Sequence, residues 1–181
     1  VGLGSYSTYQ LAPALSETKH CYLAGIVTGT PSKEKVWAAK YNIAEKNIYN
    51  YQNFDTIAKN PDIDIVYVVL PIFMHKEYTI RAAKAGKHVI CEKPMAMNVK
   101  ECEQMIKACK DANRKLSIGY RLHFEPYNRE MMRLGQNNLY GKLLEIDCGN
   151  GFRFGDDTDP NYWRLKKNMA GGGGLMDMGV Y

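Results

Sequence analysis

Two hydrophobic periods alternate along the first two-thirds of the chain. Short β-branched runs at Tyr22 to Val27, Ile63 to Leu70, Lys87 to Cys91 and Lys115 to Ile118 read as strands. Between them lie stretches with helical spacing, Ser32 to Tyr41, Asn53 to Lys59, Lys76 to Ala85 and Val99 to Ala112. This order, from Val1 to about Ser117, predicts parallel βαβ units. Ile63, Ile65, Val66, Tyr67, Val68, Val69 and Leu70 make a nearly continuous apolar run, as expected of a strand covered on both faces. Gly86 is placed to end one helix as its C′ residue. Asn98 is placed to cap the next, with Glu101 three residues on as the reciprocal partner.

The character changes after about Gly119. Phe124 to Leu134 has the pattern of an amphipathic helix, Lys142 to Gly149 alternates like an antiparallel strand with one solvated face, and Gly151 to Asn161 reads as a loop. The predicted fold is therefore α/β, a doubly wound parallel sheet over residues 1–118, with residues 119–181 beginning a second domain. Val1 stands directly before the first glycine and the chain stops at Tyr181, which reads as an interior piece of a longer protein. The expectation is that most of a first strand, and any export signal, lies upstream. That leaves the compartment open between cytoplasm and, with such a signal, periplasm.

Composition narrows the function classes. Of the 181 residues 45% are hydrophobic and 24% charged, and the net charge is only +5, without the basic stripe that nucleic acid requires. The longest apolar run, Ile65 to Phe73, is interrupted by Pro71 and too short to span a bilayer. Cys21, Cys91, Cys102, Cys109 and Cys148 form no CxxC pair, and reduced thiols are expected rather than a disulfide framework. No metal-ligand set is expected.

The chemistry concentrates in a few places. Val89-Ile90-Cys91-Glu92-Lys93-Pro94 sets an acid, an amine and a proline at the carboxyl end of a strand, the rim where open α/β sheets bind ligands. Gly2-Leu3-Gly4 reads either as a shortened dinucleotide fingerprint, with Ser7 where Gly or Ala is usual, or as a plain glycine loop. After Val27 comes Thr28-Gly29-Thr30-Pro31-Ser32-Lys33, with hydroxyls and a cation but no acid for an adenosine ribose. Thr28 and Lys33 thus suit a 2′-phosphate and NADP over NAD, unless Lys33 is only a solvated first-turn residue. His75, after Leu70-Pro71, either faces a nicotinamide or caps its helix. Asp177 and Tyr181, at i and i+4, are expected on one helix face after Gly171 to Gly174. Alternatively, Tyr181 is an interface aromatic and Asp177 a helix-terminal charge.

Together Gly2-Leu3-Gly4, Glu92-Lys93-Pro94 and Gly172 to Tyr181 resemble the glucose-fructose oxidoreductase, inositol dehydrogenase and rhizopine catabolism family, nearest its glucose-fructose oxidoreductase branch. Ile48 to Asp55, Gly119-Tyr120-Arg121 and Trp163-Arg164-Leu165 support the match. The resemblance implies a Rossmann domain, then an α+β substrate domain with an open sheet, and hydride transfer between NADP, or NAD, and a sugar or polyol. It implies Lys93, Asp177 and Tyr181 as catalytic residues. Around the cofactor it implies Gly2, Leu3, Gly4, Ser5, Tyr6, Thr28, Gly29, Lys33, Tyr51, Leu70, Pro71, His75, Glu92, Lys93, Arg121, Trp163 and Arg164. It further implies a homo-oligomer when full length and a cis Lys93–Pro94 bond. An exposed apolar face is expected in the incomplete second domain. Oxidising a hydroxyl needs a base, and a phenol of pKa ~10 needs a neighbouring cation, for which Lys93 is the expected source. Alternatives are another substrate, such as a dihydrodiol or a glycoside, or a nucleotide-sensing regulator without chemistry.

Overall fold

The computed structural model describes residues 1–149, 151, 153–155 and 157–181. A helical stretch follows the glycines. It is π-wound over Ser7–Leu11 and α-helical over Ala12–Glu17 (α1), and the Ala12 amide donates to the Ser7 carbonyl. The wide turn directly precedes Pro13, whose missing N–H and ring an unbroken α-helix tolerates poorly. The chain then runs β1 (Ile26–Val27), α2 (Pro31–Tyr41), β2 (Ile48–Tyr49), β3 (Ile65–Val68), α3 (Ile72–Lys84), β4 (His88–Cys91), α4 (Val99–Asp111) and β5 (Leu116–Ile118).

All strand pairings are parallel: β1 with β2, β3 with β4, and β4 with β5. The first residues join the two ladders. The Val1 amine donates to the Tyr67 carbonyl (2.7 Å), the Val69 amide to that of Val1 (2.9 Å), and the Gly2 amide to that of Val27 (3.0 Å). The order across the molecule is β2, β1, residues 1–2, β3, β4, β5. The chain moves outward in both directions from residues 1–2, and such a switch point opens a crevice at the strands' carboxyl ends.

The larger core lies on one face of β3 to β5, where Val66, Val68, Val89 and Cys91 meet Tyr78 and Ala82 of α3 and Met105 and Cys109 of α4. Phe54 and Ile57 are buried in it, and each such side chain contributes roughly 1.5–3 kcal/mol. The other face is more open, with Ile65 49% exposed, so β3 is not covered on both sides as its apolar run suggested. A second cluster, Leu3, Ala12, Ile26, Trp37 and Ile43, packs α1 and α2 against the glycine end of the sheet.

Gly86 ends α3 with φ +76°, as expected. At α4 Asn98 Oδ1 accepts from the Glu101 amide (3.0 Å), but Glu101 returns its bond to the Met97 amide (3.2 Å) while pairing with Lys76 (3.0 Å). The reciprocal cap is thus shifted one residue upstream. Past Ile118 come α5 (Pro126–Gln136), α6 (Lys167–Ala170) and α7 (Gly173–Asp177). The strand expected over Lys142 to Gly149 is not formed, and those residues are exposed. Alternation alone does not hold a strand without an edge to pair with. Positions 152 and 156 of the expected loop lie outside the described residues. Phe124, Tyr127 and Met131 are largely exposed, giving the apolar face anticipated there. Among the described residues no helix is long and apolar enough to cross a membrane.

Candidate active site

A crevice of about 860 Å³ opens at the carboxyl rim of the sheet, and every residue expected at the site lines it. Its floor is the glycine turn. Gly2 has φ +87°, and a Cβ there would stand 2.2 Å from the Val69 carbonyl oxygen. Only glycine fits so close to β3 in that conformation. Around Gly4 a Cβ would meet nothing within 4 Å, so the wall there is open. Ser7, buried at the third fingerprint position, donates its hydroxyl to the Gly2 carbonyl (2.7 Å), and Lys33 donates to that of Leu3 (2.8 Å). Both carbonyls are thereby engaged. Ser5 and Tyr6 begin the helical stretch, whose first-turn amides lack intrahelical partners and favour an anion.

Thr28 and Gly29 follow β1 on one side of this turn. The Thr28 amide bonds to the Tyr49 carbonyl (3.0 Å), and its hydroxyl accepts from the Thr30 amide (3.2 Å). Gly29 lies against the Tyr51 ring, where a Cβ would come within 2.9 Å. Tyr51 stands edge-on to Tyr78 (5.4 Å between centroids), and Arg81 donates to its carbonyl (3.1 Å). The Lys33 ammonium has three donors, so its bond to Leu3 leaves it able to meet a further acceptor.

On the opposite side Leu70 and Pro71 lead into α3, and the peptide bond between Lys93 and Pro94 is cis. His75 is buried rather than set at an exposed cap. Its Nε2 is 2.7 Å from the Leu70 carbonyl oxygen and its Nδ1 2.9 Å from that of Pro94, so the ring bridges the two rim segments. Burial lowers its pKa, and the two carbonyls only partly oppose this. Glu92 accepts from the Tyr67 hydroxyl (2.6 Å) and from the Lys93 amide (3.2 Å). Burial and then Glu92 drive the Tyr67 phenol far up.

The three catalytic candidates converge on the Lys93 ammonium, though not as one helix face. α7 ends at Asp177, and Tyr181 lies in the turn beyond it, because the glycine-rich sequence, Gly179 included, does not sustain a helix. Lys93 Nζ donates to the Asp177 carbonyl and to its Oδ1 (3.0 Å), and sits 4.9 Å from the Tyr181 ring centroid. Lys93 and Asp177 side chains are only 14% and 19% exposed, which excludes most of the screening an open ion pair meets. Burial raises the Asp177 carboxyl, but Arg164 and Lys93 together hold it below its ordinary range.

At Tyr181 the expected electrostatics need correction. Burial, followed by the Glu92 charge, raises the phenol above its ordinary value, and Asp177 adds to this. The opposing cation at the hydroxyl is Arg121, whose guanidinium also stands 5.8 Å from the Tyr6 ring. Lys93 lies over the ring face instead. Sequence reasoning missed Tyr162 and Tyr67. The first was signalled only by its place before Trp163-Arg164. The second was hidden as an apolar strand residue.

This arrangement offers a phenol that holds its proton at neutral pH, an ammonium and guanidinium able to bind a developing alkoxide or a carbonyl, and a turn suited to a pyrophosphate. Among the described residues no cluster of three or more His, Cys, Asp or Glu is set to hold a metal ion.

Residues 1–120 match the model of an oxidoreductase family with an NAD-binding Rossmann fold. The chain is 31% identical over 189 residues to D-xylose 1-dehydrogenase [NADP(+)] of Haloarcula marismortui, covering 100% of this chain and 50% of that protein. It is 34% identical over 133 residues to trans-1,2-dihydrobenzene-1,2-diol dehydrogenase of Danio rerio, covering 72% and 38%. The crystal structure of an aldose-aldose oxidoreductase from Caulobacter crescentus complexed with glycerol superposes with TM-score 0.89 at 46% identity, over 100% of this chain and 53% of that one. The chain spans about half the length of the curated relatives it matches.

Proposed function

The chain belongs to the Gfo/Idh/MocA oxidoreductase family, and from that premise we propose that it carries hydride transfer between NADP and a hydroxyl of a sugar or polyol. The observation that carries this reading is the meeting of Lys93, Asp177 and Tyr181 at the mouth of the crevice that begins at Gly2. The turn fits a dinucleotide because Gly2 leaves no room for a side chain on its strand side and Gly4 leaves the crevice side open.

Gly2, Leu3 and Gly4 would hold the pyrophosphate with the amides of Ser5 and Tyr6, Thr28 and Lys33 a 2′-phosphate, and Tyr51 the adenine side. Leu70, Pro71, His75 and Glu92 would shape the nicotinamide side with Lys93 and Arg121. When bound, the nicotinamide supplies the hydride acceptor or donor. Tyr181, in its ionised form, takes the substrate hydroxyl proton in oxidation, and in its protonated form gives its own to the carbonyl in reduction. Lys93 donates to the same substrate oxygen and steadies its negative charge. Asp177, kept ionised, accepts from a neighbouring sugar hydroxyl and holds the ammonium in place. An aldose is the favoured substrate, since the xylose and aldose-aldose enzymes match the whole chain while the dihydrodiol enzyme matches 72% of it. The reading also expects a homo-oligomer.

Titration of the full protein with NADPH and NADH, followed by nicotinamide fluorescence, tests the cofactor half of this reading. NADPH is expected to bind the tighter, by roughly tenfold or more for one charged contact to the 2′-phosphate. Equal affinities, or tighter NADH, would remove Thr28 and Lys33 from that role.

A further inference from the structure

Arg164 is more tightly committed within the protein than a cofactor-binding cation needs to be. Its Nε donates to Asp177 Oδ2 (3.0 Å), the oxygen that Lys93 leaves free, while Lys93 takes Oδ1 (3.0 Å). Its Nη1 donates to the Tyr162 hydroxyl, and its guanidinium carbon lies 4.4 Å from the Trp163 ring centroid. One edge and one face of the guanidinium are therefore spent on neighbours. A carboxylate held by a donor on each oxygen has its plane fixed, whereas one held on a single oxygen can swing about its χ angles.

We infer that Arg164, locked by Tyr162 and Trp163, is a positioning residue that fixes the Asp177 carboxylate and through it holds the Lys93 ammonium over Tyr181. Without Arg164, the Asp177 carboxylate is held by Lys93 at Oδ1 alone and can turn about its χ angles, drawing on an ammonium whose other bond is to the Asp177 main-chain carbonyl. The Asp177 charge is then less compensated at Tyr181. The charged and titratable groups facing that phenol are Lys93, Asp177, Glu92, Arg121, Tyr6 and Tyr120. Arg164 acts on the phenol only through Asp177, whose charge already raises it; with that charge less compensated the phenol becomes harder to ionise. The inference rests on the hydride-transfer reading above.

The test compares Arg164→Gln, Arg164→Lys and Tyr162→Phe in the full protein. Arg164→Gln is expected to lower kcat by roughly 10–100-fold and to move the ionisation limb of sugar oxidation to higher pH, with NADPH affinity within about threefold of wild type. Arg164→Lys should restore the position of the pH limb but only part of kcat, because an ammonium cannot reproduce the two-point grip. Tyr162→Phe should act in the same direction by a few-fold, and it carries the test if Arg164→Gln does not fold. An unchanged kcat and pH profile, with NADPH affinity reduced tenfold or more, would overturn the inference and make Arg164 a cofactor contact. A crystal structure of either variant supplies a readout that needs no turnover. Displacement of Lys93 from above Tyr181 supports the relay, and Lys93 and Asp177 left in place refute it. If wild type shows no NADP-linked turnover, the hydride-transfer reading fails while the crystal structures still decide the relay.

Discussion

Replacing Gly2 with alanine tests the physical basis of the crevice. The substitution puts a methyl group 2.2 Å from the Val69 carbonyl oxygen, against a normal contact above 3 Å, at a φ of +87° that L residues avoid. Relief requires about 1 Å of movement between residues 1–2 and the end of β3, where the Val69 amide bonds to Val1, while the Gly2 amide ties the other side to Val27 of β1. Left-handed strain of about 1–2 kcal/mol and the weakening of one such hydrogen bond, about 1–2 kcal/mol, sum to roughly 2–4 kcal/mol. For a protein of this size that corresponds to a fall in Tm of about 5–15 °C, readable by differential scanning calorimetry. Gly4→Ala is the paired control. Its Cβ meets nothing within 4 Å, so stability should stay within about 0.5 kcal/mol of wild type while NADPH affinity falls. A Gly2→Ala protein as stable as wild type would refute the steric argument. A Gly4→Ala protein with undiminished affinity would refute the placement of the pyrophosphate.

Other expectations follow from the same geometry. Tyr181→Phe should cut turnover by roughly 10²-fold or more with little change in NADPH affinity, and steady-state kinetics beside a binding titration separate the two. Because the Tyr181 phenol is raised, sugar oxidation should keep rising with pH to beyond the ordinary phenol range, whereas carbonyl reduction should stay level through neutral pH. A bell centred near neutrality in the oxidation profile would contradict Tyr181 as the base. Asp177 binds its proton less readily folded than unfolded, so its contribution to stability is present above about pH 4 and lost as pH falls through its folded pKa. Asp177→Asn should flatten that acid limb in urea titrations. Tyr67 has the opposite sign. The folded chain keeps its phenol proton after the unfolded chain has lost it, so stability declines as pH rises above about 10, and Tyr67→Phe should soften that decline.

The sequence made the sheet legible because its strands carry β-branched runs and its helices end on recognisable residues such as Gly86 and Asn98. β2 escaped because two residues, Ile48 and Tyr49, form no periodic signal and hold their place only through the ladder to β1. The candidate site was legible as residue types at the sheet rim, but not as a geometry. That Lys93 would lie over the ring while Arg121 met the hydroxyl depends on where the turn after α7 sets Tyr181, and glycine-rich segments do not encode such a turn in their spacing. Ser7 is instructive in the same way. It departs from the fingerprint where Gly or Ala is usual, and its hydroxyl closes the turn onto the Gly2 carbonyl, a bond that the residue type alone does not announce.

The central claim is that this crevice brings a nicotinamide and a sugar together beside Lys93 and Tyr181. Single-turnover reaction of the NADP-loaded full protein with a fully deuterated aldose tests it most directly. The account predicts that nicotinamide absorbance grows in, that deuterium is recovered in the reduced cofactor, and that both Tyr181→Phe and Lys93→Met slow the step. It would be contradicted if NADP bound normally and no aldose or polyol reduced it, or if the reduced cofactor carried no deuterium.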